Sequence, residues 1–227
     1  MFLRILCFLV VTSTGLIAGD NKEMINEMFA TKHVSSYPAA SFTAPRDFAI
    51  GQWVSYGMVN DDDERSIMIS RVIGHDGDEW TIESEIITKS DRIITQYSIK
   101  GLDVARKSGK SDDMELTKIK IKTNDGEALV IDGFVLSMAK AAYGKSLKGW
   151  TTPSTVLEEG GDVLVSAGSF KGTTKIKSET AINGADEEST SYAHPAVPIY
   201  GIVKSISGDE FTMELLEFGD SGAKASF

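Results

Sequence analysis

Histidine, serine, cysteine and clustered carboxylates are the residues on which chemistry would rest, and here they are thinly spread. The three histidines are His33, His75 and His194. No two stand at the His-x-x-x-His spacing that grips zinc on a helix, so a metal centre is not expected. His194, set just before Pro195, is the most distinctive of the three, and a structural imidazole is the simpler expectation. Gly168-Ser169-Phe170-Lys171-Gly172 puts its serine in the wrong place for a nucleophile elbow. Gly144-Lys145-Ser146 and Gly109-Lys110-Ser111 resemble the end of a phosphate loop. Ala139 and Val104 stand where such a loop has its first glycine, which excludes nucleotide binding of that type.

The carboxylates give no stronger lead. Asp61-Asp62-Asp63-Glu64 and Asp76-Gly77-Asp78-Glu79 lack the spacing of a calcium loop and read as solvated turns. Glu83 and Glu85 lie two apart on one strand face. They would form a catalytic pair only if that face lined a cleft, and a polar outer face is the simpler account. No nucleophile and base can be paired, so no enzyme activity, no cofactor, no catalytic residue and no metal ligand is expected.

The elements that carry these residues are mostly strands. From Gly51 to Gly101 apolar and polar residues alternate with a period of two, broken by acidic or Asp-Gly turns, which is the pattern of antiparallel hairpins. Asn124-Asp125-Gly126 is the strongest hairpin turn. The period changes at Asp132–Leu147, where Phe134, Val135, Met138, Ala141 and Ala142 suit a helix near 133–147. Strands resume through Phe218, with a Gly160-Gly161 turn, an acidic loop over 185–190 and a strand led by Pro195–Lys204. Before all of these, Asp20–Lys32 fits a short amphipathic helix capped by Asn21, and His33–Ala49, with Pro38 and Pro45, fits an extended linker. The expected fold is mainly β: a curved antiparallel sheet or unclosed β-barrel with one or two helices packed on or in it.

Residues 1–19 fit a secretory signal. Arg4 is the positive region, Ile5–Ile17 the short apolar core, and Ala18-Gly19 the small residues before a cleavage point. The run is too short and too interrupted by Thr12-Ser13-Thr14-Gly15 for a span of about 20 apolar residues. The only cysteine, Cys7, lies inside it, so the exported part carries no disulfide and no lipid on cysteine. The expected organisation is a signal over 1–19, a helix and linker over 20–49, and one β domain over 50–227. The net charge of -10 argues against nucleic acid and anionic lipid surfaces as partners.

Large apolar side chains recur along the strands, among them Trp53, Tyr56, Met58, Met68, Trp80, Tyr97, Phe170 and Tyr200. A curved sheet with one apolar face and one apolar helix can enclose a cavity, and the same residues can equally fill a core. Taken together, the Trp53-led strands, Val165-Ser166-Ala167-Gly168-Ser169-Phe170 and Pro195–Lys204 resemble the LolA/LolB-type superfamily of periplasmic carriers and related exported β proteins. The resemblance implies an unclosed barrel with helices as a lid, in the periplasm or secreted. The expectation that follows is a hydrophobic ligand, a lipid or acyl chain, held by Trp53, Met68, Trp80, Phe134 and Met138 without catalysis. The alternative is a structural or protein-interaction module of the cell envelope with a filled core and an envelope protein as partner. Two further alternatives are an outer-membrane barrel, suggested by alternation and Phe227, and a hydrolase.

Overall fold

The computed structural model describes residues 21–136, 157–182, 185–208 and 211–227. The signal assigned to residues 1–19, Met138 and most of the 133–147 helix lie outside them. The strands are β1 (Ser36–Tyr37), β2 (Trp53–Asn60), β3 (Arg65–Asp76), β4 (Glu79–Ile87), β5 (Arg92–Lys100), β6 (Glu115–Thr123), β7 (Leu129–Ile131), β8 (Leu157–Val165), β9 (Gly168–Ile182), β10 (Ala185–Ala193), β11 (Ile202–Ser207) and β12 (Phe211–Gly219). Helices α1 (Lys22–Ala30) and α2 (Leu102–Ser108) accompany them among the described residues, with a 3-10 turn at Ser111–Asp113 and helical residues at 133–136.

All twelve strands belong to one unclosed sheet, ordered β1-β9-β10-β11-β12-β2-β3-β4-β5-β6-β7, with β8 on the free side of β9. Two sequence-local meanders, β2–β7 and β8–β12, are joined by a single antiparallel seam between β12 and β2. Among the described residues only β1 pairs in parallel, against Ser169 and Phe170. The architecture is thus mainly β and mostly antiparallel, as the alternation predicts.

Period two sorts the side chains. On one face Val54, Tyr56, Val72, Ile82, Tyr97, Ile99 and Ile119 are buried in one large apolar cluster with Phe170, Val203 and Leu215. Strands as far apart in the sheet as β9 and β6 share this one cluster, so the sheet curls around this face, the concave one, and Phe48, Leu102, Val197, Ile199 and Leu136 fill it. On the other face Ile67, Ile87 and Leu216 receive Ile25 of α1, with Met28, Phe29 and Ile69 partly buried beside them. Phe29 sits directly over Gly57: a Cβ there would lie 2.7 Å from the ring, closer than atoms approach, so a bare backbone seats the helix.

The structure corrects several expectations. Asn21 makes no side-chain cap; its Nδ2 donates to Thr88 O at 3.0 Å and its backbone N–H to Lys89 O at 3.2 Å, which ties α1 to the β4–β5 turn. The linker contains β1. Arg106–Ser108 close the helix α2, whose apolar side is buried through Leu102 and Ala105. Gly160-Gly161 is not a turn but a bulged part of β8, with register shifts on both sides of Gly161. Residues 185–190 are paired strand, against Ile182 back to Lys177. Pro195–Gly201 is not strand: two prolines remove ladder donors, and pairing starts only at Ile202. β12 carries a bulge between Leu215 and Glu217.

Candidate functional site

The concave face is the place where an acyl chain would sit, and the loop His194–Gly201 enters it. Val197 and Ile199 are fully buried there. Ile199 adopts φ 64, a left-handed conformation that strains a β-branched residue by about 1–3 kcal/mol. Neighbouring bonds hold it. Arg106 donates from Nη1 to Ile199 O at 2.9 Å and from Nη2 to Arg46 O at 2.7 Å, and its guanidinium lies 3.9 Å over the Phe48 ring. Burial pushes the Arg106 pKa down to about 10, opposed by Tyr200, Asp47 and Asp103. Tyr200 and Ser70 bond through their hydroxyls at 3.0 Å, and Tyr56 donates to Ile202 O at 2.9 Å. Burial, with Tyr200 nearby, pushes the Tyr56 phenol well above its ordinary pKa.

His194 closes this plug and is structural. Its Nδ1 accepts from Ala196 N at 3.1 Å, which leaves the proton on Nε2 to donate to Pro38 O at 3.0 Å. Both ring nitrogens are satisfied, and Phe170 meets the ring edge-on at 5.4 Å.

The opposite face carries the charges. Glu83 and Glu85 are 0 % and 1 % exposed, so the polar face expected in solvent is instead sealed. Arg71 bonds Glu83 at 2.8 Å and Glu85 at 2.6 Å, and Arg92 reaches Glu85 at 2.5 Å. Gln96 Nε2 donates to Glu83 at 3.0 Å. The lid is the segment Asp220–Phe227. Ser226 gives Glu83 its backbone N–H at 2.9 Å and its hydroxyl at 2.7 Å, Phe227 O accepts from Gln96 at 3.1 Å, and Ala223 N–H donates to Gly51 O at 2.9 Å. Burial alone would raise the Glu83 pKa. The hydrogen bonds from Gln96 and Ser226, with the Arg71 charge, outweigh it and hold the carboxyl below its ordinary value. A carboxylate so enclosed is an acceptor already fully used, not a poised acid or base.

One nucleophile-and-base pair emerges that the sequence did not reveal. Lys32 Nζ donates to Ser166 Oγ at 2.6 Å, and the serine hydroxyl donates to Glu214 Oε1 at 3.3 Å. Ser166 is 0 % exposed, so no substrate carbonyl reaches it, and the trio acts as a clip between the segment after α1 and β12. No group of three or more metal-ligating side chains occurs among the described residues.

The five residues expected to line a ligand site are not brought together. Met68 and Trp80 belong to the concave core; Trp80 donates from Nε1 to Asp103 at 3.0 Å and stacks on His75 at 3.8 Å. Trp53 lies on the other face, in a groove of about 470 Å³ between α1 and the 220–227 lid. Phe134 is 80 % exposed, two residues before buried Leu136. Met138 lies outside the described residues.

No protein-family model matches the sequence, and no curated protein matches it significantly. Among solved structures, the chain is similar to one from Bacteroides fragilis described as a putative exported protein with a YmcC-like fold. The likeness has 12% identity and a TM-score of 0.36, over 78% of this chain and 99% of that one. Such values carry nothing about ligand or activity. The resemblance to LolA/LolB-type carriers rests on the sequence pattern alone. No helix of the described residues is long and apolar enough to cross a membrane.

Proposed function

We propose that this is an exported, non-catalytic β protein that works as a protein-interaction module of the cell envelope. The observation that carries the reading is the filled concave face: His194–Gly201 and α2 occupy the space an acyl chain would need. Residues 1–19, read as a signal, support export to the periplasm or beyond. The contact surface is the open edge of the sheet. Leu129 and Val130 on β7 are 61 % and 49 % exposed, and Leu164 on β8 is 78 % exposed. An edge strand offers unpaired backbone groups to an extended segment of a partner, and apolar side chains beside it supply pockets for recognition.

Photo-crosslinkers at Val130 and Leu164, with one at Asp61 as control, test this in the native compartment. A discrete protein adduct at either edge position and none at Asp61 is expected. Equal labelling at all three overturns the assignment.

A hydrophobic ligand between Met68, Trp80 and the helix beginning near Phe134 is the second reading. The observation favouring it is the exposed pair Phe134 and Val135, 80 % and 60 %, beside a residue that enters the core. Native mass spectrometry of protein from its own compartment, with lipid extraction of the same sample, separates the two. A lipid at fixed stoichiometry supports the carrier; a bare protein mass supports the module.

A further inference from the structure

The lid Asp220–Phe227 is held in the manner of a bound peptide, not of a core element. None of its residues is buried, and none belongs to an apolar cluster of the described residues. Its hold is polar. Asp220 pairs with Arg46, Ala223 N–H donates to Gly51 O at 2.9 Å, and Ser226 and Phe227 reach across to β4 and β5. Gly222, at φ 96, turns the chain between the first two anchors.

The central anchor is the Glu83 carboxylate, each of whose oxygens takes one donor from the sheet and one from the lid. Oε1 accepts from Arg71 Nη1 at 2.8 Å and from the Ser226 hydroxyl at 2.7 Å. Oε2 accepts from Gln96 Nε2 at 3.0 Å and from the Ser226 N–H at 2.9 Å. A single residue thus completes both oxygens, with its backbone and its side chain. The same hydroxyl accepts from Arg71 Nη1 at 3.3 Å. A side-chain atom that donates to Oε1 while accepting from Arg71 is a hydroxyl oxygen; an amide nitrogen, ammonium or guanidinium only donates. Serine and threonine meet that demand. The next carbonyl, of Phe227, accepts from Gln96 Nε2 at 3.1 Å, and Lys122 Nζ lies 5.9 Å from the centre of the Phe227 ring, within reach of a cation–π attraction. The sheet therefore reads two consecutive residues, a hydroxyl and then an aromatic.

We propose that this cup of Arg71, Glu83 and Gln96 is a recognition site for an extended segment of another protein, one carrying serine or threonine followed by an aromatic residue, and that the lid occupies it in cis. The site lies on the face opposite the plug and does not use the open edges of the sheet. Departure of the lid uncovers no apolar cluster, so only its polar contacts oppose opening. Lid and incoming segment exclude one another because both need the same positions on Glu83. The incoming segment is then weakened by the fraction of molecules whose lid is closed, and a change that loosens the lid tightens the segment by the same factor. A lid that serves stability alone has no such coupling.

The test is a labelled peptide with the sequence of residues 221–227, titrated into the protein and into its Ser226→Ala variant. Binding is followed by fluorescence anisotropy and by the side-chain amide resonance of Gln96. Ser226→Ala removes the lid hydroxyl from Glu83 and keeps the backbone N–H. Lid opening should rise about tenfold, read as faster hydrogen exchange of the Ala223 amide. The peptide should bind the unsubstituted protein with Kd of about 1 mM, since it competes with a lid on a short tether. It should bind the variant about tenfold more tightly. A control peptide with alanine in place of its serine should bind the variant about tenfold more weakly than the serine peptide does. The proposal is overturned by equal affinity of the two peptides, by equal affinity for the two proteins, by binding that leaves the Gln96 resonance unmoved, or by no saturable binding to the variant.

Discussion

The two faces of the sheet are both covered by the chain itself, but by opposite means. On the concave face the cover is apolar and interlocked: Val197, Ile199, Leu102 and Phe48 enter a cluster that spans both meanders. On the other face the cover is α1, held by a small apolar cluster, and the 220–227 lid, held almost wholly by hydrogen bonds to Glu83, Gln96 and Gly51. The first kind of cover stabilises through area removed from water and tolerates no displacement. The second stabilises through a few directed contacts and can detach without exposing a core. A site meant to open therefore belongs on the lid side.

Mutations that distinguish the faces should differ in size and in kind. Phe170→Ala is the largest: Phe170 is 0 % exposed and stacks on Tyr37 at 4.4 Å, so a loss of about 3–5 kcal/mol is expected in urea unfolding, with no local opening before the global transition. An equally large loss from removing Ser226 would erase the contrast between the faces.

Glu83→Ala comes next. It leaves Gln96 and the lid donors without their acceptor and Arg71 with one partner fewer, for about 3 kcal/mol. The pH dependence has a definite sign. The folded Glu83 pKa is lowered, so its contribution is present above the unfolded carboxylate range and is lost as pH falls through the lower folded value. Glu83→Gln should flatten that acid limb in a stability–pH profile, and an unchanged limb would assign it to other carboxylates.

Gly57→Ala should cost about 2 kcal/mol by pushing Phe29 off its seat. Hydrogen exchange should show α1 amides losing protection while Tyr56 and Ile82 keep theirs. Smallest of the four is Trp80→Phe, which deletes the 3.0 Å bond to Asp103 while keeping an aromatic ring, for about 1 kcal/mol by thermal unfolding.

The strands of the first meander were legible because their alternation is clean: Ile67 and Ile69 turn to one side and Met68 and Ser70 to the other, as their partners on β2 and β4 require. The plug was missed because Ala196, Val197, Ile199 and Tyr200 look like strand residues, although Pro195 and Pro198, which cannot donate to a ladder, already argued against a strand. The 185–190 strand was hidden by its acidic composition, which suits a loop as well as a solvated ribbon. The pairing of Glu83 with Arg71 follows from register, but its burial depends on Ser226, 143 residues away, and no local pattern announces that. Trp53 was read among the ligand-lining residues, yet its parity with Ser55 rather than with Tyr56 puts it on the opposite face from Met68 and Trp80.

The seam between β12 and β2 has a consequence for how the chain matures. Hairpins within each meander close over short distances, whereas Trp53 meets Gly219 only after the rest of the sequence has emerged. A chain made from its N-terminus leaves β2 as a bare edge until β12 arrives. During that interval the first meander is a half-built sheet with a sticky border, the kind of species that aggregates or recruits a holdase chaperone. Assembly of this sheet is therefore most exposed to mispairing just before β12 arrives.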